Sequence, residues 1–136
     1  MTTSVDSGVL LDVLLDDPRH RHRSLMALKA ERQRGGLIVC PVVWTEAAAV
    51  VPEPSELAEL LRQAGVSFDP FDRRCSELAA ESWRRYRRMG GRRPHVLSDF
   101  LVGAHAQQRG GRLLSRERGF YRRYFQDLEV IEPAAL

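Results

Sequence analysis

The sequence predicts an α/β protein in which helices cover both faces of a mainly parallel sheet. Two observations carry this. Short apolar runs bounded by turn residues recur five times along the chain, and stretches with helical spacing of apolar residues fill the intervals between them. Strands separated by helices join by crossovers, which set neighbouring strands parallel and lay the helices on the sheet. A third observation supports the boundaries: the glycine pairs Gly35-Gly36, Gly90-Gly91 and Gly110-Gly111 stand where helical patterns end, as residues that accept positive φ do. At 136 residues the chain can bury a core without disulfides or a structural metal, so a single domain over 1–136 is expected.

Taken in order, "TTSVD" is the first strand and "GVLLDVLLDD" the first helix. "HRHRSLMALKAERQR" is a second helix, with Leu25, Met26 and Leu28 as an apolar stripe against basic residues. "GLIVCP" is the second strand, followed by helical "VWTEAAAVV" and "SELAELLRQA". "GVSFDP" is the third strand; "DRRCSELAAESWRRYRRM" and "LSDFLVGAHAQQR" are the helices after it. "GRLLS", helical "ERGFYRRYF" and the strand "LEVIEP" complete the chain. There is no internal repeat or low-complexity linker.

No apolar run approaches the ~20 residues of a bilayer span, and the N-terminus has no basic segment followed by an apolar one and a cleavage site. A soluble cytoplasmic protein without a membrane partner is expected. Cys40 and Cys75 have no metal-ligand spacing and sit in apolar segments, so they read as buried, reduced thiols. Of twenty arginines, fourteen lie between Phe71 and Phe125, opposed there only by Asp72, Glu77, Glu81, Asp99 and Glu117. Either the coding bias favours arginine, or the region holds phosphates, whose oxygens the guanidinium fork matches two at a time.

Functional groups of an open parallel sheet gather at the carboxyl ends of its strands. Asp6 ends the first strand, Glu46 opens the helix after the second, and Glu117 follows the fourth. Asp99 begins the helix that leads into the fourth strand. Singly, each has an ordinary use: Asp6 or Ser7, and Asp99 or Ser98, as helix caps, Glu117 at the positive end of a helix dipole, and Glu46 turned to solvent on the outer face of its helix. Together, without a cation, they would repel one another and some would take up protons. A divalent ion of the Mg²⁺ or Mn²⁺ type removes that cost, and such a site suits phosphodiester hydrolysis.

The stretches "VDSGVLLDVLL", "VVWTEAAAV", "SDFLVGAHAQQRGGRLLSRERGFYRRYF" and "LEVIEP" resemble PIN-domain ribonucleases, and the short chain most resembles the VapC-type toxins of bacterial toxin-antitoxin pairs. The resemblance implies a three-layer α/β/α sandwich and a metal-dependent endoribonuclease. It assigns Asp6, Asp99 and Glu117 to the metal, Glu46 to the metal or its water, and Ser115 to a metal-bound water or phosphate oxygen. It further implies an RNA substrate, an antitoxin that blocks the cleft and a homodimer. Two positions depart from the family pattern: the fourth acid is Glu117 where aspartate is usual, and Gly8 stands where Ser, Thr or Asn is common. Decayed catalysis, leaving an RNA- or protein-binding module, is the alternative they raise.

Arg92, Arg93 and Arg116 flank the acids and are expected at the substrate, as a cationic rim that draws a polyanion toward an acidic pocket. Trp83 and Tyr86 are expected in the core, as are Phe120 and Tyr124, whereas Tyr121 is left available to stack on a base. His20 and His22 do not make a metal pair, and His105 packs or hydrogen-bonds locally. Asp12, Asp16 and Asp17 read as helix-surface and helix-end groups.

Overall fold

The computed structural model describes residues 1–91 and 97–134. Arg92, Arg93 and His95 therefore lie outside the described residues. The elements run β1 (Thr2–Val5), α1 (Ser7–Leu14), α2 (Arg21–Arg34), β2 (Gly36–Val39), α3 (Pro41–Val50), a 3-10 turn (Pro54–Glu56), α4 (Leu57–Gln63) and β3 (Val66–Phe68). They continue with α5 (Arg73–Arg88), α6 (Leu97–Gln108), β4 (Arg112–Leu114), α7 (Arg118–Tyr124) and β5 (Glu129–Ile131).

The five strands form one parallel sheet in the order β3-β2-β1-β4-β5. The three-layer α/β/α sandwich expected from the sequence is the fold. The chain winds outward from β1 through β2 to β3, then returns past β1 to place β4 on its other side. The order thus reverses between β1 and β4, where the strand ends diverge and leave a crevice. Register there is set by Ser4 opposite Leu113 and Val5 opposite Leu114, and the Asp6 N–H extends the pairing to the Leu114 carbonyl at 3.0 Å.

Strands buried on both faces need apolar residues throughout, and Val5, Leu37, Val39, Leu113, Leu114 and Val130 supply them. Aromatic rings close the core on the α5–α7 side. Phe100 is fully buried and lies 5.2 Å from Tyr86, 5.5 Å from Trp83 and 5.2 Å from Phe120 between ring centroids. Three residues on, Gly103 lets Phe125 lie flat on α6: a Cβ there would stand 2.4 Å from the Phe125 ring. These contacts fix the first turn of α6, and with it the residue before Phe100.

The structure corrects four readings. Met26 is 49 % exposed; the inward residues of α2 are Ser24 and Glu31, polar groups whose partners come from α1 and β4. Asp12 is no surface group but is 3 % exposed inside α1. Tyr121 is 1 % exposed and so has no face to offer a base. Gly35 is extended, and glycine is needed there because a Cβ would meet the Met1 carbonyl oxygen at 1.7 Å; Gly90, Gly110 and Gly111 do have positive φ. Both cysteines are buried and free. No helix among the described residues is long and apolar enough to cross a membrane.

Candidate active site

Asp6 leaves β1 at the crevice and caps α1, its Oδ1 accepting from the Ser7 N–H at 2.8 Å. Its Oδ2 accepts from Ser115 Oγ, at the end of the neighbouring strand β4, at 2.7 Å. Ser115 Oγ in turn accepts from the Glu117 N–H at 3.0 Å. One hydroxyl therefore clamps the Asp6 carboxylate and the backbone that presents Glu117. Ser115, expected to touch substrate, is fully buried and faces Asp6 instead.

Glu46 does not open its helix: α3 starts at Pro41, whose fixed φ suits a first helical residue, so Glu46 lies in the second turn. Asp99 lies in the first turn of α6, immediately before the anchored Phe100. Glu117 stands at the start of α7 without capping it through its side chain. The structure brings all four into one cleft of ≈ 260 Å³, whose walls also include Ser7, Gly8 and Arg116.

Their charges act on one another. Burial raises the Asp6 carboxyl from 3.8 to about 6, and the nearby charges of Glu117 and Asp99 add to the rise while the Ser115 and Ser7 hydrogen bonds oppose it. Glu46 is raised too, by burial first and then by Asp99 and Glu117, against a hydrogen bond from Ser7. Below the cleft the Tyr121 phenol is pushed up by burial and by Asp6, Asp99 and Glu117. In each case burial acts first and the neighbouring negative charge adds to it.

The donor set is all carboxylate oxygen, the kind that hard divalent cations take. No three of the four cleft acids bring ligand oxygens within 4.8 Å of one another. Among the described residues the trio that meets that distance is Asp12, Asp17 and His20. It is a helix-entry knot: Asp17 Oδ1 accepts from the N–H groups of Arg19 and His20 at 2.8 and 2.9 Å. Asp12 is committed to Ser24 Oγ at 2.6 Å and to a two-point pair with Arg116, Nε to Oδ2 at 3.0 Å and Nη2 to Oδ1 at 3.1 Å.

That pair revises Arg116, which lines the cleft while its fork is turned to Asp12. It also gives Gly8 a setting. A Cβ there would lie 3.5 Å from Arg116 Nη2, so the guanidinium passes over the first turn of α1. Sequence reasoning missed Asp12 because nothing in an acid on a helix announces a partner 104 residues later.

The description of the PIN domain matches residues 4–126. No curated protein matches the chain. Among solved structures, VapBC2 from Rickettsia felis, bound to a DNA fragment from the promoter, superposes with a TM-score of 0.74 at 13 % identity, over 97 % of this chain and 98 % of that one. A toxin-antitoxin complex from Klebsiella pneumoniae gives 0.71 at 16 % identity, over 98 % and 99 %. FitAcB from Neisseria gonorrhoeae gives 0.68 at 18 % identity, with the same coverage. At such identities the likeness speaks for the fold, and it is the match over residues 4–126 that assigns the lineage: the chain belongs to the PIN domain family.

Proposed function

We propose that this chain is a metal-dependent endoribonuclease that hydrolyses RNA phosphodiester bonds, and that it is the VapC-type toxin of a bacterial toxin-antitoxin pair. The observation that carries the proposal is the convergence of carboxylates from four separate segments on one cleft, where burial raises Asp6 to about 6 and the charges of Glu117 and Asp99 add to the rise. Membership of the PIN family and the likeness to solved toxin-antitoxin complexes support it.

In this reading Asp6, Asp99 and Glu117 hold Mg²⁺ or Mn²⁺, and Glu46 orients the attacking water. Such an ion, when bound, polarises a phosphoryl oxygen and eases deprotonation of water. Ser115 keeps the Asp6 carboxylate in one orientation and sets the height of Glu117. Arg116, Arg92 and Arg93 are assigned to the substrate rim. The protein acts as a single domain over 1–136, in the cytoplasm, as a homodimer, and is silenced by an antitoxin that covers the acids.

The test is Mn²⁺ titration beside RNA cleavage. Binding at micromolar to millimolar Mn²⁺ together with cleavage that Asp99→Ala abolishes is expected. The competing reading, a weakened PIN-like module that binds RNA or protein, draws on the separation of the cleft oxygens and on Glu117 in place of a shorter aspartate. RNA binding retained with no uptake of millimolar Mn²⁺ would establish it. The Ser115 clamp is checked separately: Ser115→Ala is expected to weaken Mn²⁺ binding roughly 10- to 100-fold, as loss of a group that orients a ligand does. Unchanged affinity would free Ser115 from that role.

A further inference from the structure

Beside the acid cleft, over the start of α7, lies a second recess of ≈ 610 Å³. Arg116 and Glu117 are walls of both. The two recesses therefore adjoin along these residues. Its outer walls are Arg118, Arg122 and Glu132, with Phe120 and Gly119 between them.

Gly119 is the informative residue. Its φ is not positive, and a Cβ built on it meets nothing within 4 Å. Neither backbone conformation nor packing calls for glycine, which is a weaker helix former than alanine in a helix such as α7. A bare backbone at the floor of a recess is explained when something else must come close to it. The charges indicate what. Arg122 has no ion pair among the described residues, and Arg118 meets Glu132 only at 3.9 Å. Half-buried Phe120 is braced by Tyr121 and Tyr124, at 5.0 and 5.4 Å between ring centroids, so its ring is held in place at the recess wall.

We propose that this recess is the subsite for the nucleotide next to the scissile phosphate of a single-stranded RNA. Arg122 and Arg118 take its phosphate, Phe120 meets its base, and Gly119 leaves room for both. The assignment rests on the nuclease reading above. An aromatic ring flanked by guanidinium groups is the arrangement that holds unpaired nucleotides by stacking and charge together. An acidic peptide would use the arginines but has no comparable use for the ring and the open floor.

The test uses the full chain with Mn²⁺ and a single-stranded RNA oligonucleotide that the parent cleaves. Gly119→Leu fills the recess without a clash and is expected to leave the thermal midpoint unchanged or higher while raising KM about tenfold at constant kcat, about the worth of one stacked base. Gly119→Ala, the conservative variant, should fall between. Arg122→Ala should reduce the slope of log affinity against log salt by about one, the mark of one lost phosphate contact. KM and RNA affinity within twofold of the parent in Gly119→Leu overturn the subsite, as does an unchanged salt slope in Arg122→Ala. So does a Gly119→Leu protein that loses an acidic peptide partner while binding RNA normally. A parent that binds the oligonucleotide and never cuts it removes the nuclease reading; the same variants, read by affinity, then still decide the subsite.

Discussion

Asp6→Asn is expected to lose hydrolysis and gain stability at once. In the metal-free protein the Asp6 carboxyl, 8 % exposed, is raised from 3.8 to about 6. Folding therefore holds its proton roughly a hundredfold more tightly than the unfolded chain does, a linkage of about 3 kcal/mol. The sign follows from that direction. Asp6 favours the fold below about pH 4, and that contribution disappears as pH rises through about 6, so at pH 8 the ionised carboxylate is a net burden. Asparagine removes the charge but accepts through one oxygen where aspartate accepts through two, from Ser7 and Ser115. After that loss, of about 1 kcal/mol, the variant should be more stable than the parent by about 1–2 kcal/mol at pH 8 with chelator present, and no more stable at pH 4. Urea denaturation at the two pH values measures it. Millimolar Mn²⁺ should reverse the order, since a ligand stabilises the form that binds it. RNA cleavage should fall on the order of 10³-fold, the several kcal/mol that a cation contributes at a phosphoryl group. A variant equal to the parent in cleavage, or less stable at both pH values in chelator, would remove Asp6 from the role given to it.

That opposition of activity and stability explains why the site could be read from sequence before the rest of the interior. An acid at the end of an apolar strand conflicts with its surroundings, and the conflict is visible in the letters: "SVDSGVLL" for Asp6, "VVWTEAAAV" for Glu46. The sheet was legible for a related reason, because doubly buried strands are short apolar runs between turn residues; the five expected strands each hold the observed one. What escaped were polar side chains that satisfy each other inside. Asp12, Ser24 and Glu31 carry the hydropathy of surface residues, and their partners lie 104, 12 and 81 residues away. Periodicity sees one element at a time, so it placed Met26 inward where Ser24 and Glu31 go. In α7 the helix has seven residues, too few turns to settle which aromatics face in; Tyr121 and Tyr124 do, as does Phe125 just past its end. Arg116 shows both limits together, since its nearness to the acids was legible and its pairing with Asp12 was not.

Arg112→Met is expected to cost about 3–5 kcal/mol of stability, because it strands a buried carboxylate. Arg112 opens β4 with its side chain 7 % exposed and is bound on three sides: Nε donates to Thr3 Oγ1 at 3.1 Å, Nη1 to Glu129 Oε2 at 2.6 Å, and Nη2 to Glu31 Oε1. Glu31, equally buried, comes from α2, so the arginine ties that helix to the starts of β1, β4 and β5. Without it Glu31 keeps only the Thr3 hydroxyl at 3.5 Å and the half-exposed Arg34 at 3.7 Å. The reverse change is milder. Glu31→Gln leaves Arg112 its pair with Glu129 and should cost about 1–2 kcal/mol. The double variant Arg112→Met, Glu31→Leu, with no charge left to strand, should recover most of the loss, so the single effects will not add. Urea denaturation of the three proteins at pH 7 tests this, and simple additivity would show that the charges are not coupled. The cluster lies at the amino ends of the strands, opposite the acids at their carboxyl ends. Activity per folded molecule should therefore stay at the parental level in all three variants, which separates a loss of scaffold from the loss of chemistry expected at Asp6.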